Sequence, residues 1–210
     1  MKSLSQYIKE EFKFRINKET AKVKYNYFVE TKDELKQIIQ DHYANNIYNL
    51  NDINTSRIED FSELFLYDSN TGNPEFDVSE WDVSNGKTFE EMFAKCDNFN
   101  CDLSNWTVSK GENFKFMFSG CNNFNSDLSN WDVSNGIDFA VMFAGCNKFN
   151  SDLSNWDVSK GIYFNSMFRS CENFNSDLSK WDVSKGQTFS YMFDNCPIKQ
   201  EFKPKHADIS

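Results

Sequence analysis

Five tryptophans stand at one fixed interval, and this spacing constrains the fold more than any other feature of the sequence. Consecutive tryptophans are 25 residues apart, and a phenylalanine follows each of them eight residues later. The two sets are Trp81, Trp106, Trp131, Trp156 and Trp181, with Phe89, Phe114, Phe139, Phe164 and Phe189. A constant interval without insertions is typical of equivalent coils that stack on one another. The sequence therefore predicts a repeat protein with one continuous core.

Each repeat combines two hydrophobic patterns. The first, Leu103, Trp106 and Val108, ends in the alternation of a short half-buried strand. The second has intervals of three and four residues, which favour one face of a short helix or helical turn. Its members in this repeat are Phe114, Met117, Phe118, Cys121 and Phe124. Because strands stack about 4.8 Å apart and helices about 8 to 10 Å apart, such a stack should curve with its strand side concave.

The repeats extend upstream in a weaker form. Six apolar or β-branched positions lie 53 residues before their counterparts, which is two repeats plus three inserted residues. They are Leu50, Ile53, Thr55, Phe61, Leu64 and Phe65. The polar stretch from Ser69 to Pro74 accounts for the insertion. We therefore predict about six coils over residues 49–196.

Residues 1–48 are predicted to form an α+β cap over the first coil, since an open stack would expose its apolar floor. Leu4, Tyr7 and Ile8 suggest a short helix, and alternating residues from 12 to 27 suggest a hairpin. Thr31 and Glu34 have the spacing of a capping box before a helix of roughly four turns. Residues 197–210, which contain two prolines, are predicted to be a frayed tail.

The charge of the chain excludes some partners. The net charge is −10, and the first 50 residues carry nine of the 22 basic and seven of the 32 acidic side chains, which leaves −12 on the rest. Such a surface does not favour direct binding to nucleic acid or to an anionic membrane. The sequence shows no apolar stretch long enough to span a membrane and no signal peptide, which predicts a cytoplasmic protein.

The sequence contains few candidates for catalytic residues. His42 and His206 are the two histidines, and neither belongs to a motif with a Ser or Cys nucleophile. Five of the six cysteines recur once per repeat, which indicates buried free thiols and matches no zinc-site spacing. Cys101 replaces the serine of the other repeats and should be a partly exposed thiol. We predict no enzyme activity, no metal and no cofactor.

Two columns of aspartates run along the repeats. One precedes the Leu-x-x-Trp pattern (Asp77, Asp102, Asp127, Asp152, Asp177), and the other follows each tryptophan (Asp82, Asp132, Asp157, Asp182), with Thr107 as the exception. They either form a groove for cations or a basic partner, or accept backbone hydrogen bonds in local Asp-x-Ser turns. Asn105, Asn130 and Asn155 should lie exposed beside the second column.

Variation between repeats is concentrated in the predicted helical segment. Phe116, Val141, Tyr163 and Tyr191 would be exposed there on a convex surface. Exposed aromatic side chains of this kind can anchor a protein partner, although ordinary surface variation gives the same pattern. The candidate partner-binding residues are therefore the second aspartate column, the three asparagines, Tyr163 and Tyr191.

The unit F-N-x-D-L-S-x-W-D-V-S, followed by M-F-x-x-C, resembles the repeat of uncharacterised mycoplasma surface lipoproteins and, more loosely, BspA-like leucine-rich repeats. The opening MKSLSQYIKE is similar to the start of small repeat proteins of gut bacteria and their phages. The resemblance implies a leucine-rich-repeat-like, right-handed α/β solenoid and a role in recognition or adhesion without catalysis. The absence of a signal peptide and of a lipidation cysteine departs from the secreted members.

Three functions follow from these patterns. The first is a non-enzymatic interaction or scaffold module that binds another protein. The second is an acidic mimic of nucleic acid that blocks the basic cleft of a DNA-handling protein, which the acidic columns favour and the interspersed basic residues oppose. The third is a structural component, such as a part of a virion. Salt dependence separates the first two, because a mimic should release its partner as salt rises.

Overall fold

The computed structural model describes residues 25–65 and 75–206. Its regular elements are strand β1 (Tyr27–Phe28), helix α1 (Lys32–Ala44), strand β2 (Ile53–Asn54) and a short 3-10 helix at Gln200–Phe202. Strand β1 pairs in parallel with β2. The remaining described chain consists of turns and extended links, so hydrogen bonds between successive repeats carry most of the order.

Helix α1 begins where the sequence predicts. The Thr31 hydroxyl accepts the backbone N–H of Glu34, and the Glu34 carboxylate accepts the backbone N–H of Thr31 in return. This capping box satisfies N–H groups that the first helical turn leaves free. Leu35, Ile38 and Ile39 are buried in the main core cluster. The helix therefore packs its apolar face into the same core as the repeats.

The predicted short helix at Leu4, Tyr7 and Ile8 and most of the predicted hairpin lie outside the described residues. The described end of that hairpin is β1, which pairs with Ile53 and Asn54 of the first coil. Pairing with the stack supplies partners for an edge that would otherwise be open.

Successive repeats lie side by side in parallel. Single-residue bridges connect one position in six consecutive coils: Asp60, Thr88, Asn113, Asp138, Tyr163 and Thr188. The step is 25 residues from Thr88 onward, and 28 residues between Asp60 and Thr88 and between Asn49 and Asp77. The longer step is one repeat plus three residues, as the weaker upstream repeat predicts. The proposed insertion from Ser69 to Pro74 lies outside the described residues.

A row of backbone hydrogen bonds joins each coil to the next, and we call it the cross-coil amide row. Four N–H groups at alternate positions of one coil donate to four carbonyls of the following coil. In one coil the donors are Phe114, Phe116, Phe118 and Gly120, and the acceptors are Asp138, Ala140, Met142 and Ala144, at 2.7–3.0 Å. Donors therefore point toward the C-terminal end of the stack and acceptors toward the N-terminal end.

Of the two predicted alternatives for this segment, the short helix is wrong for the described coils. Around Met117 and Cys121 the chain forms consecutive turns, because alternate N–H groups bond to the next coil and those between them bond to carbonyls three residues back. Phe116 (φ 57°) and Gly120 (φ 76°) also adopt left-handed backbone conformations that no α-helix contains. The burial prediction survives, since Phe114, Met117, Phe118, Cys121 and Phe124 are all fully buried.

The predicted strand at Leu103, Trp106 and Val108 is wrong as well. These residues are buried as expected, but they lie in turns, such as the one that the Trp106 N–H closes onto the Leu103 carbonyl at 3.0 Å. The backbone pairing instead lies in the following segment, at the position of Asn113. Strand β2 occupies this position in the first coil only, and the later described coils have neither a helix nor a strand there, so the argument for a concave strand side loses its basis. The handedness of the stack stays a prediction.

Aromatic side chains fill the core in continuous columns. Phe118 stacks on Phe143 at a centroid distance of 5.6 Å, and Trp131 stacks on Trp156 at 6.5 Å with nearly parallel rings. The fit extends to the backbone, because a Cβ at Gly136 would collide with the ring of Phe139. Burial of each such ring contributes about 1.5–3 kcal/mol.

The C-terminal tail is more ordered than predicted. The Phe202 carbonyl accepts the N–H of Leu178 at 2.8 Å, and the Lys199 N–H donates to the side-chain oxygen of Asn175 at 3.2 Å. The ring of His206 lies 4.4 Å from that of Phe189. Residues 197–206 therefore pack on the last coil, and the prediction of a frayed tail is wrong for them.

We predict that Trp131→Ala lowers the free energy of unfolding by about 3–5 kcal/mol, because it opens a cavity in a middle coil. Trp131 is buried, and its indole N–H donates to the Leu103 carbonyl at 3.0 Å. The measurement is urea unfolding, with the exposed neighbour Asn130→Ala as the matched control. Equal urea midpoints for the two variants would contradict the placement of Trp131 in the core.

Candidate protein-interaction surface

The aspartates after the tryptophans are exposed and anchored by turns. Asp82, Asp132, Asp157 and Asp182 each accept the backbone N–H of the serine two residues later at 3.0 Å. The interpretation as Asp-x-Ser turns is therefore confirmed. These hydrogen bonds hold the pKa of the Asp157 and Asp182 carboxyls below the ordinary value, with the serine backbone N–H as the largest cause for Asp157 and the serine hydroxyl for Asp182.

The second aspartate column is not a uniformly negative surface. Lys160 lowers the pKa of Asp157, and its ammonium donates to Asn135 at 2.6 Å. Lys110 makes the equivalent bond to Asn85 two repeats earlier. Amide and ammonium groups thus alternate beside the carboxylates, which reduces repulsion between coils. Asn105, Asn130 and Asn155 are exposed one residue before each tryptophan, as predicted.

The first aspartate column is tied into the backbone between coils. In the middle repeats a buried serine of the next coil accepts the leucine N–H and donates to the aspartate: Ser151 to Asp127 and Ser176 to Asp152. These carboxyls also accept the N–H of the following Asp-x-Ser serine, which lowers their pKa. This column is therefore a structural part of the stack.

Four of the five recurring cysteines form a buried column of free thiols, as predicted, whereas Cys196 in the last coil is partly exposed. Cys96, Cys121, Cys146 and Cys171 each donate to a phenylalanine carbonyl of the preceding coil at 2.9–3.0 Å. Burial raises the pKa of all four, that of Cys96 to about 12. Thiolate is the reactive form, so these groups are chemically inert under ordinary conditions.

Cys101 occupies the place of the buried serine. It is partly exposed, its sulfur accepts the Val78 N–H and lies 3.4 Å from the Asp77 carboxylate, and burial raises its pKa to about 12. A thiol beside a carboxylate is a poor nucleophile. The predicted partial exposure is confirmed, and the hydrogen bonds explain why a cysteine can replace the serine.

His42 is built into the packing of helix α1. One ring nitrogen lies 2.9 Å from the Ile38 carbonyl and the other 3.1 Å from the Asp52 carboxylate of the first coil. Its ring also packs edge-on against Tyr27. Over residues 25–65 and 75–206, no group of three His, Cys, Asp or Glu side chains has a geometry that could hold a metal ion.

Tyr163 and Tyr191 are exposed at 39% and 69%. Tyr163 is the bridged residue of its coil, and Tyr191 has a left-handed backbone (φ 59°) beneath the guanidinium of Arg169. Phe116 and Val141, which should share that exposure, are half-buried instead. They hold the same left-handed position as Tyr191, and a following coil covers each of them.

Sequence reasoning missed Ile137, which is 37% exposed. Its carbonyl accepts the N–H groups of Ile162 and Tyr163 at 2.8 and 3.3 Å, so the backbone brings three apolar residues from two coils together. We call Ile137, Ile162 and Tyr163 the apolar patch. The sequence does indicate that this position is exposed, because it varies and holds Lys87, Glu112 and Gln187 in other repeats. The patch belongs to a different segment of the coil from the aspartate column.

The chain belongs to the family described as "Mycoplasma protein of unknown function, DUF285", whose profile matches residues 33–147 and 131–204. The two overlapping matches run from helix α1 into the C-terminal tail and agree with a repeated unit. Neither a curated protein nor a solved structure matches the chain. Within the part of the chain that the structure describes, no helix is long and apolar enough to cross a bilayer.

We expect the buried cysteines to resist alkylation in the native chain. At pH 8, iodoacetamide should modify Cys196 and Cys101, which are partly exposed, well before the four buried thiols. Mass spectrometry of digested samples over time measures each rate, and reaction in urea serves as the control for intrinsic reactivity. Equal native rates at Cys146 and Cys101 would contradict the buried column.

We also expect stability to fall in acid. The pKa values of Asp127, Asp152 and Asp157 are lower in the folded chain, so the ionised carboxylates favour folding above the ordinary pKa of Asp. This contribution is lost as the pH falls through the folded pKa. Urea unfolding between pH 7 and about pH 3 should show a smaller decline for the Asp152→Ala, Asp157→Ala double variant than for the parent chain. An identical decline would contradict the role of the turns.

Proposed function

We propose that this chain is a non-enzymatic protein-interaction module. Its fold is a six-coil, leucine-rich-repeat-like right-handed solenoid, and it binds another protein through the variable exposed side chains around Ile137, which we call the flank. The likeness to BspA-like repeats supports recognition as the role. The structural use of His42 and of the buried thiols supports a role without catalysis, because the chain already uses these groups in packing and hydrogen bonding.

The observation that carries the proposal is the contrast between constant and variable positions. Leucine, tryptophan, phenylalanine and cysteine recur in the buried columns, whereas the position of Ile137 changes character from coil to coil. Rigid coils with variable exposed residues are the usual means by which repeat proteins recognise partners. The proposed binding surface therefore lies where the side chains vary.

The apolar patch is the proposed anchor. Tyr163 offers a large exposed ring with a polar tip, and Ile137, whose carbonyl accepts the Tyr163 N–H, is exposed as well. The bridged neighbours Asp138 and Thr188 supply a polar border. An aromatic anchor with a polar rim is the usual arrangement of an interface hot spot. Asp132 and Asp157 would add electrostatic steering toward a partner with basic residues.

The test uses affinity capture from lysate of the source cells, with partners quantified by mass spectrometry. We expect Tyr163→Thr to reduce capture of the specific partner about tenfold, which corresponds to loss of about 1.4 kcal/mol at a hot spot. Threonine stands at the same position in two other coils, as Thr88 and Thr188, so the fold accommodates it. Urea unfolding of the variant confirms that the fold is intact.

A matched variant separates the two surfaces. Asp132→Thr with Asp157→Thr copies the natural Thr107 and should leave salt-resistant capture almost unchanged. If these substitutions abolish capture and salt does the same, the acidic-mimic function replaces the proposal. Capture that survives both sets of substitutions would exclude the apolar patch and the second aspartate column as the binding surface. Recovery in fixed stoichiometry with a large assembly would favour the third function, a structural component.

A further inference from the structure

The two ends of the stack differ in how their backbone groups are satisfied. At the N-terminal end, helix α1 covers the core, and β1 pairs with β2. At the C-terminal end, the tail supplies a partner for Leu178 and extends the line of asparagine side-chain bonds to Lys199. The tail thus follows the path of a next coil on one side only.

The cross-coil amide row of the last coil is left without acceptors. The preceding row is complete: Phe164, Ser166, Phe168 and Ser170 donate to the last coil at 2.7–2.9 Å. The equivalent donors of the last coil are Phe189, Tyr191, Phe193 and Asn195. Among residues 25–65 and 75–206, none of these four N–H groups has a hydrogen-bond acceptor.

Side-chain exposure marks the same edge as open. Phe193 and Cys196 are partly exposed, whereas their counterparts Phe168 and Cys171 are fully buried. His206 covers the ring of Phe189, so the open stretch runs from Tyr191 to Asn195. The three N–H groups in this stretch all point out of the end of the stack, because every coil before it uses them to bind the next.

The local charge selects the kind of partner. Residues 185–206 carry four lysines against Asp194 and Glu201, in a chain whose net charge is −10. Asp194 is already paired with Arg169 at 3.3 Å. Tyr191 and Asn195 have the same left-handed backbone as their paired counterparts Ser166 and Ser170, so their N–H groups are set for a following row of carbonyls. The edge is therefore positive and rich in donors.

We infer that the open edge from Tyr191 to Asn195 is a second docking site, which takes an acidic segment of a partner protein. The segment would add to the stack as one further coil, with its backbone carbonyls accepting the three free N–H groups and its acidic side chains facing the lysines of the tail. This is the backbone-pairing mode of peptide recognition. The site is separate from the apolar patch, and either can fail without the other.

Residues 86–97 of this chain provide a probe with the required carbonyl row. In the fold, the carbonyls of Glu90 and Met92 accept the N–H groups of Glu63 and Phe65, the counterparts of Tyr191 and Phe193, at 2.9–3.0 Å. Ala94 holds the next position of the row, which corresponds to the acceptor for Asn195. The probe is a synthetic peptide, GKTFEEMFAKSD, with serine in place of Cys96. Its control carries lysine in place of Glu90 and Glu91, and so keeps the backbone but reverses the charge.

The experiment is residue-level amide exchange by NMR on the full chain. In the free chain, Tyr191, Phe193 and Asn195 should exchange much faster than their paired counterparts Ser166, Phe168 and Ser170. Excess probe should slow the three edge amides about tenfold, as occupancy of most sites requires. The lysine control peptide should not slow them. Lys203→Glu with Lys205→Glu should weaken the protection, whereas the distant Lys148→Glu should not.

Several results would overturn the inference. Edge amides that are slow at all protein concentrations without peptide would mean that this chain already fills the row. Protection that rises with protein concentration would assign the edge to a second copy of the chain. If both peptides slow the edge amides equally, or if neither slows them, an acidic segment is not the occupant of the edge. The Tyr163→Thr chain should respond to the probe like the parent, which separates this site from the flank.

Discussion

The cross-coil amide row is the constraint on which the rest of the structure depends. All four donors of a coil point one way and all four acceptors the other, so each coil needs the next one to satisfy its backbone. Buried N–H groups without acceptors are costly. An insertion between the donors would move them out of line with their acceptors, whereas the 28-residue first step leaves Phe61, Glu63 and Phe65 paired with the next coil.

The row also explains the unusual backbone. The N–H groups between the donors close turns within the coil, and the chain is left-handed in these turns at Glu91, Phe116, Val141, Ser166 and Tyr191. A left-handed conformation is unfavourable for most side chains and especially for a β-branched residue such as Val141, at a cost of about 1–3 kcal/mol. Hydrogen bonds to both neighbouring coils and the stacked rings below offset that cost. The aromatic columns and the amide row thus depend on each other.

The sequence predicted what is buried better than how the backbone runs. The intervals of Trp131 and Phe139 gave the stack and its period, and the capping box at Thr31 gave the start of helix α1. The intervals of three and four residues at Phe114 and Met117 suggested a helix because consecutive turns bring the same spacings to one side. Glycine marks the left-handed position only at Gly120 and Gly145, and no glycine marks the one at Phe116, so the turns could not be recognised.

The candidate site, like the fold, could be predicted only in part. The Asp-x-Ser pattern contained its own local explanation, and the structure supports it at Asp82 and Asp132. The sequence showed that the position of Ile137 varies, but not that its carbonyl pairs with Tyr163, because that bond joins two coils and depends on which backbone segments pair. The open edge at Tyr191 depends in the same way on the direction of the amide row, which no residue pattern encodes.

The most direct measurement is NMR detection of couplings across hydrogen bonds in the deuterated chain. Each such coupling connects a donor nitrogen with the carbonyl carbon of its acceptor. The structure predicts couplings between residues 24 apart, for example from the Phe118 nitrogen to the Met142 carbonyl carbon and from Val141 to Asn165. Couplings from these nitrogens to carbonyls four residues earlier would show helices in the repeats and would contradict the cross-coil amide row.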